Sequence, residues 1–184
     1  PWQNTDLWKK ITDAVDIPTL TGEDIYLKEP FIELAKAHAV DILHPDLATS
    51  GGILETKKMA DAIQDYGVPM AMHFAGTPVS AMANVHCAAA TENFLVMEFH
   101  SADVPWWEDM VTGIPKPIID KGFITVPSAP GLGVTLNDTL PAGMSYVPGS
   151  AVVSNANGMT VNGFSATLGG GNVLTISTTS IVNP

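Results

Sequence analysis

The chain has 184 residues, 46% of them hydrophobic and 15% charged, enough for one ordinary domain with a real core or for two small pieces. Eight lysines with no arginine, against 19 acidic residues, give a net charge of -11 and leave no basic stripe for neutralising phosphates, so nucleic-acid binding is excluded. Cys87 is the only cysteine, which excludes an intrachain disulfide and a cysteine metal cage, and no apolar run reaches the roughly 20 residues needed to cross a bilayer.

The first stretch, "TDLWKKITDAV", predicts a helix capped by Thr5, with Leu7, Trp8, Ile11 and Val15 on one face. "IPTLTGE" reads as a strand. Pro30 is expected to open a second helix with Phe31, Leu34, Ala35 and His38 on one side, followed by the strand "VDILHPD". Ser50 is the expected cap of a third helix with an apolar stripe of Met59, Ala60 and Ile63, and "VPMAMHF" returns as a strand. A fourth helix from Pro78 to about Thr91 leads into "NFLVMEF". Helix and strand alternate in units of about 25 residues, the pattern of a parallel sheet built from βα units.

The strand ends carry the functional signal. Glu23, Asp46, His73 and Glu98 close successive strands at separations of 23, 27 and 25 residues. In a parallel αβ array those ends open on one face, where ligands bind. Any one polar residue there is explained by the chain emerging into water; four in phase point to function. His44, beside Pro45 at the same mouth, is a candidate for substrate contact, as is Trp106 in "VPWWEDM". "SGG", residues 50–52, reads as a tight turn with a cap rather than an anion cradle, and His86 and Cys87 read as packing residues.

The charges stop abruptly. All 27 Asp, Glu and Lys residues lie between Asp6 and Asp138, and residues 139–184 are rich in Gly, Ser, Thr, Asn and Val, with alternating stretches such as "NVLTIST" between glycine turns. That tail reads as short antiparallel strands.

"TGEDI", "HPDLATSGGILETKKMA", "MAMHFAGTPVSAMANVHCAAATENFLVMEFH" and "KGFITVPSAPGLGV" resemble the second half of the mandelate racemase branch of the enolase superfamily, particularly its acid-sugar dehydratases. The resemblance covers residues 1 to about 136 and implies strands five to eight of a modified (βα)₈ TIM barrel, with strands one to four and a capping domain outside this sequence. It implies that Glu23 is the last of three acidic ligands to an essential Mg²⁺, an ion that prefers hard oxygen donors. It implies further that Asp46 holds one ring nitrogen of His73, that His73 is the acid for a departing hydroxyl (a base in racemising relatives), and that Glu98 hydrogen-bonds the enediolate.

The fold class expected is therefore α/β, half a barrel over residues 1–136, then a short all-β, partial β-sandwich segment over residues 137–184. In the latter, "DTLPAGMSYVPGSA" resembles the start of an immunoglobulin-like repeat of bacterial surface proteins, with a junction between about Val134 and Thr139. The expected function is Mg²⁺-dependent loss of water from a sugar acid, with this chain inactive alone because two metal ligands and a second-strand lysine base lie outside it. The alternatives are racemisation or epimerisation by the same Asp–His pair, or a non-catalytic surface protein defined by the tail. A sugar-acid substrate, no nucleic acid, no membrane, and self-association through open barrel edges are the expected partners. The barrel half implies a cytoplasmic location and the tail a secreted or surface origin.

Overall fold

The structure is a computed structural model that describes residues 3–139, 164–168 and 173–178. The chain divides into two compact units, Pro1–Val104 and Pro105–Pro184.

The first unit alternates helix and strand without exception: α1 (Thr5–Thr12), β1 (Leu20–Thr21), α2 (Lys28–Lys36), β2 (Ile42–Leu43), α3 (Gly52–Gln64), β3 (Met70–Met72), α4 (Pro78–Ala89) and β4 (Phe94–Met97). The strands lie in chain order, each parallel to the next. Sequential order with a helical crossover at every step is what βα units produce. The strands are shorter than the sequence pattern implies. At β1, Pro18 offers no ladder donor and Gly22 turns away at φ 154°, leaving Leu20 and Thr21 between them.

Helix starts show where local signals yield to tertiary ones. α1 is capped by Asn4, not Thr5: the Asn4 side-chain oxygen accepts from the Leu7 amide at 3.0 Å. The helix ends at Thr12 with Asp13 as its cap, so Val15 lies past it. α2 begins at Lys28, two residues before Pro30, because Glu55 on α3 reaches across and accepts from the Lys28 amide at 3.1 Å. α3 starts from Gly51, at φ 125°, rather than from a Ser50 side-chain cap; Ser50 is buried and pairs with the Thr56 hydroxyl at 3.2 Å. α4 follows its sequence signal, with Thr77 as cap and Pro78 in the first turn.

His38 also departs from expectation. It stands beyond α2 in the left-handed region at φ 45°, exposed, where its amide bonds the Ala35 carbonyl and the Ala39 amide bonds the Leu34 carbonyl, both at 3.0 Å. That is a Schellman ending with histidine in the usual glycine position. The apolar side of α2 is Phe31, Leu34 and Ala35, all buried. With Met59 and Ile63 of α3, Met70 and Met72 of β3, and Met82 of α4, they form the core between helices and sheet. Burying each large side chain contributes about 1.5–3 kcal/mol.

The second unit holds a 3₁₀ turn (Trp107–Met110) and strands β5 (Val111–Thr112), β6 (Thr135–Thr139), β7 (Phe164–Leu168) and β8 (Val173–Thr178), antiparallel in the order β5-β6-β8-β7. β6 runs across Asp138, where the charges stop. The expectations for residues 140–163, 169–172 and 179–184, including most of the immunoglobulin-like stretch, lie outside the described residues. No helix among the described residues is long and apolar enough to cross a membrane.

Candidate active site

The carboxyl ends of β1 to β4 place Glu23, Asp46, His73 and Glu98 on one rim of the first unit. The sheet ladder continues into this rim: Asp46 and His73 form a parallel backbone bridge, the His73 amide bonds the Pro45 carbonyl at 3.1 Å, and the Glu98 amide bonds the Met72 carbonyl at 2.9 Å. Main-chain hydrogen bonds thus fix the spacing before any side chain acts.

His73 is the centre of the group. Its Nδ1 lies 2.7 Å from Asp46 Oδ2, with both side chains largely buried. The other Asp46 oxygen accepts from the Ala48 amide at 2.7 Å and the Thr49 amide at 3.3 Å. An ionised carboxylate only accepts, so the Nδ1–H donates to Asp46 and the tautomer and ring orientation are set. The remaining nitrogen, Nε2, faces the opening, 3.0 Å from Glu23 Oε2 and 3.6 Å from Glu98 Oε2.

Glu98 divides its two oxygens. Oε1 meets His100 Nε2 at 2.7 Å. Oε2 is buried and accepts no hydrogen bond among the described residues, although His44 Nε2 stands 3.5 Å away. At 3.5 and 3.6 Å the two imidazole nitrogens are too far or too poorly aligned to satisfy that oxygen. A buried acceptor without a donor is costly. It is a natural contact for a polar group on a ligand.

His44 packs edge-on against His73, with ring centroids 5.4 Å apart. Burial lowers its pKa below the ordinary 6.5; the Glu98 carboxylate opposes this shift and His73 reinforces it. Its place depends on Gly22. A Cβ there would sit 2.6 Å from the His44 carbonyl carbon, so only glycine lets the end of β1 pass over the end of β2. That close approach brings Glu23 and His44 to the same mouth.

Five of the sequence-predicted residues, Glu23, His44, Asp46, His73 and Glu98, are therefore gathered within the first unit. Trp106 belongs to the second unit, where it precedes the 3₁₀ turn and is exposed, while Trp107 is buried. His100, to which the sequence assigned no role, joins the group. Its signal was the i, i+2 spacing from Glu98, which puts both side chains on one side of an extended chain. Cys87 is buried, and burial raises its thiol pKa.

The acidic groups do not by themselves fit a divalent cation. Among the described residues no group of three or more His, Cys, Asp or Glu side chains could hold a metal ion. Mg²⁺ demands near-octahedral oxygen ligation, and of the rim carboxylates only Glu23 is substantially exposed, with one oxygen turned to His73.

The chain is similar to known proteins in sequence and fold. The chain is 40% identical to D-xylonate dehydratase of Haloferax volcanii over 74% of its own length and 33% of that enzyme's, and 32% identical to D-gluconate/D-galactonate dehydratase of Picrophilus torridus over 72% and 33%. A mandelate racemase/muconate lactonizing enzyme-like protein from Rubrobacter xylanophilus superposes with a TM-score of 0.70 at 37% identity, over 74% of this chain and 34% of that one. The chain thus spans about a third of the length of the curated relatives it matches. Residues 1–140 match the enolase C-terminal domain-like family, and the chain belongs to that family.

Proposed function

We propose that residues 1–136 are the second half of the barrel of an acid-sugar dehydratase, an enzyme that removes the proton α to a carboxylate and expels the β-hydroxyl as water. The carrying observation is the His73–Asp46 pair, with Nδ1 held at 2.7 Å and Nε2 turned to the mouth between Glu23 and Glu98. His73 Nε2–H protonates the leaving hydroxyl, and Asp46 stabilises the ring through both protonation states. Glu98, protonated when the intermediate forms, hydrogen-bonds the enediolate through Oε2, which has no hydrogen-bond partner among the described residues. His44 contacts substrate at the same mouth. Glu23 offers one carboxylate to the Mg²⁺ of the whole enzyme. The remaining metal ligands and the base for the α-proton come from outside residues 1–136, so this chain alone is inactive. The names of the relatives, dehydratases of D-xylonate and of D-gluconate and D-galactonate, support a sugar-acid substrate.

The test is complementation. Residues 1–136 are co-expressed with the capping domain and first four strands of the Haloferax volcanii relative, and Mg²⁺-dependent water loss is measured across a panel of sugar acids. Activity that requires both pieces and disappears in His73→Asn supports the reading. A reconstituted enzyme that retains full activity in His73→Asn overturns the assignment of His73. Racemisation without water loss would transfer the same pair to epimerase chemistry.

A further inference from the structure

Three imidazoles surround Glu98, and they do not treat its two oxygens alike. His100 Nε2 makes a hydrogen bond with Oε1 at 2.7 Å, whereas the Nε2 atoms of His44 and His73 stand 3.5 and 3.6 Å from Oε2. Among the described residues, therefore, Oε1 has a hydrogen-bond partner and Oε2 has none. The rings of His73 and His100 have centroids 6.0 Å apart, so the outer imidazole belongs to the same mouth.

The segment that carries His100 is anchored on both sides. Phe99 stacks on the buried Phe74, with ring centroids 6.1 Å apart, and the Ser101 hydroxyl donates to the Gly76 carbonyl at 3.3 Å. Phe74 and Gly76 lie between β3 and α4. The loop that follows His73 thus holds the chain that follows Glu98, and His100 sits between the two anchors. Little conformational entropy is left for it to lose in meeting Glu98.

The direction of the His100–Glu98 bond decides what Oε2 can do. An ionised carboxylate only accepts, so with Glu98 ionised the His100 Nε2–H donates to Oε1. When Glu98 gains a proton, one oxygen becomes a hydroxyl and the other stays carbonyl-like and accepts. An Oε1 already engaged by the His100 N–H keeps the accepting role, and the hydroxyl forms at Oε2. With the bond reversed, the proton would lie on Oε1 and be given to a bare Nε2. Oε2 would then be an acceptor, with nothing to donate to a developing oxyanion.

We propose that His100 is a positioning residue for Glu98: its Nε2–H holds Oε1 as an acceptor and thereby directs the proton of the acid form to Oε2, the oxygen turned to His44 and His73. What Oε2 then touches rests on the dehydratase reading; the bond and its direction stand without it.

The test has two arms. In the first, the full chain labelled with ¹⁵N-histidine is measured by NMR at pH 8, where a solvated imidazole is neutral, with His100 assigned by the signals lost in His100→Gln. Its ring is expected to hold the Nε2–H form and to relax to a mixture of tautomers in Glu98→Ala. An unprotonated Nε2, or a tautomer ratio that Glu98→Ala leaves unchanged, overturns the proposal. In the second, the full chain is complemented by the capping domain and first four strands of the Haloferax volcanii relative. His100→Leu is expected to lower kcat about tenfold with KM unchanged, the worth of one hydrogen bond used in the reaction step, and His100→Gln, which keeps an N–H donor, to recover most of that loss. Equal activity in the two variants, or a rise in KM alone, overturns the proposal. A reconstituted parent without water loss overturns the dehydratase reading instead, and the tautomer measurement then decides the bond by itself.

Discussion

His73 and Asp46 are joined twice: their side chains meet at 2.7 Å, and their backbones form a parallel bridge at the ends of β3 and β2. The backbone link sets the distance and the hydrogen bond sets the ring angle. Little conformational freedom then remains to be lost when a substrate arrives.

In the complemented enzyme, His73→Asn is expected to lower kcat by roughly 10²–10⁴-fold, the usual worth of a general acid–base group. Asp46→Asn should also lower kcat, because an amide in place of the carboxylate no longer selects the Nδ1–H tautomer. Steady-state assays with both variants check this. An Asp46→Asn enzyme as active as the parent would show that the pairing does not bear on the reaction.

For the chain alone, calorimetric titration with Mg²⁺ is expected to show only weak, surface-type binding, unaltered in Glu23→Gln, since one carboxylate does not make an octahedral site. Micromolar affinity lost in that variant would mean that the missing oxygens arrive from within the chain or from a second copy.

Gly22→Ala is expected to destabilise the first unit by about 1–3 kcal/mol, the cost of forcing an extra carbon into a filled space. The new atom would press on backbone atoms of His44 at 2.6–2.8 Å, which have no rotamer by which to retreat. Chemical denaturation reads the loss. An unchanged midpoint would show that β1 and β2 separate at little cost.

His44 supplies a pH dependence. Burial depresses its pKa in the folded chain relative to the ordinary 6.5, so the unfolded chain binds the proton more readily. Its contribution to stability is complete above the unfolded value and is lost as pH falls towards and through the lowered folded one. Urea midpoints measured from pH 8 down to pH 5 should decline, and less steeply in His44→Gln. Equal slopes in the two proteins would assign the decline to other groups.

The alternation of helices and strands was legible because each βα unit repeats its apolar pattern, and the phase of Glu23, Asp46, His73 and Glu98 followed from that repeat. Helix starts were less legible. α2 is capped by Glu55, 27 residues away, and α3 starts at a glycine turn, so neither start is written in its own neighbourhood. The contact between Gly22 and His44 was invisible for the same reason: a glycine looks alike whether it bends a loop or makes room for another strand. His100 carried no legible role, because its meaning depends on which way the Glu98 side chain turns after β4.

Asp46 uses one oxygen for the imidazole and the other for the amides of Ala48 and Thr49, which lead the chain towards α3. The two tasks have different lifetimes under mutation. If His73 transfers a proton as proposed, a descendant that abandoned that step would be released from keeping it, yet it would still need an acceptor at position 46 to turn the chain. Aspartate there should therefore outlast the histidine in decayed copies of such a gene.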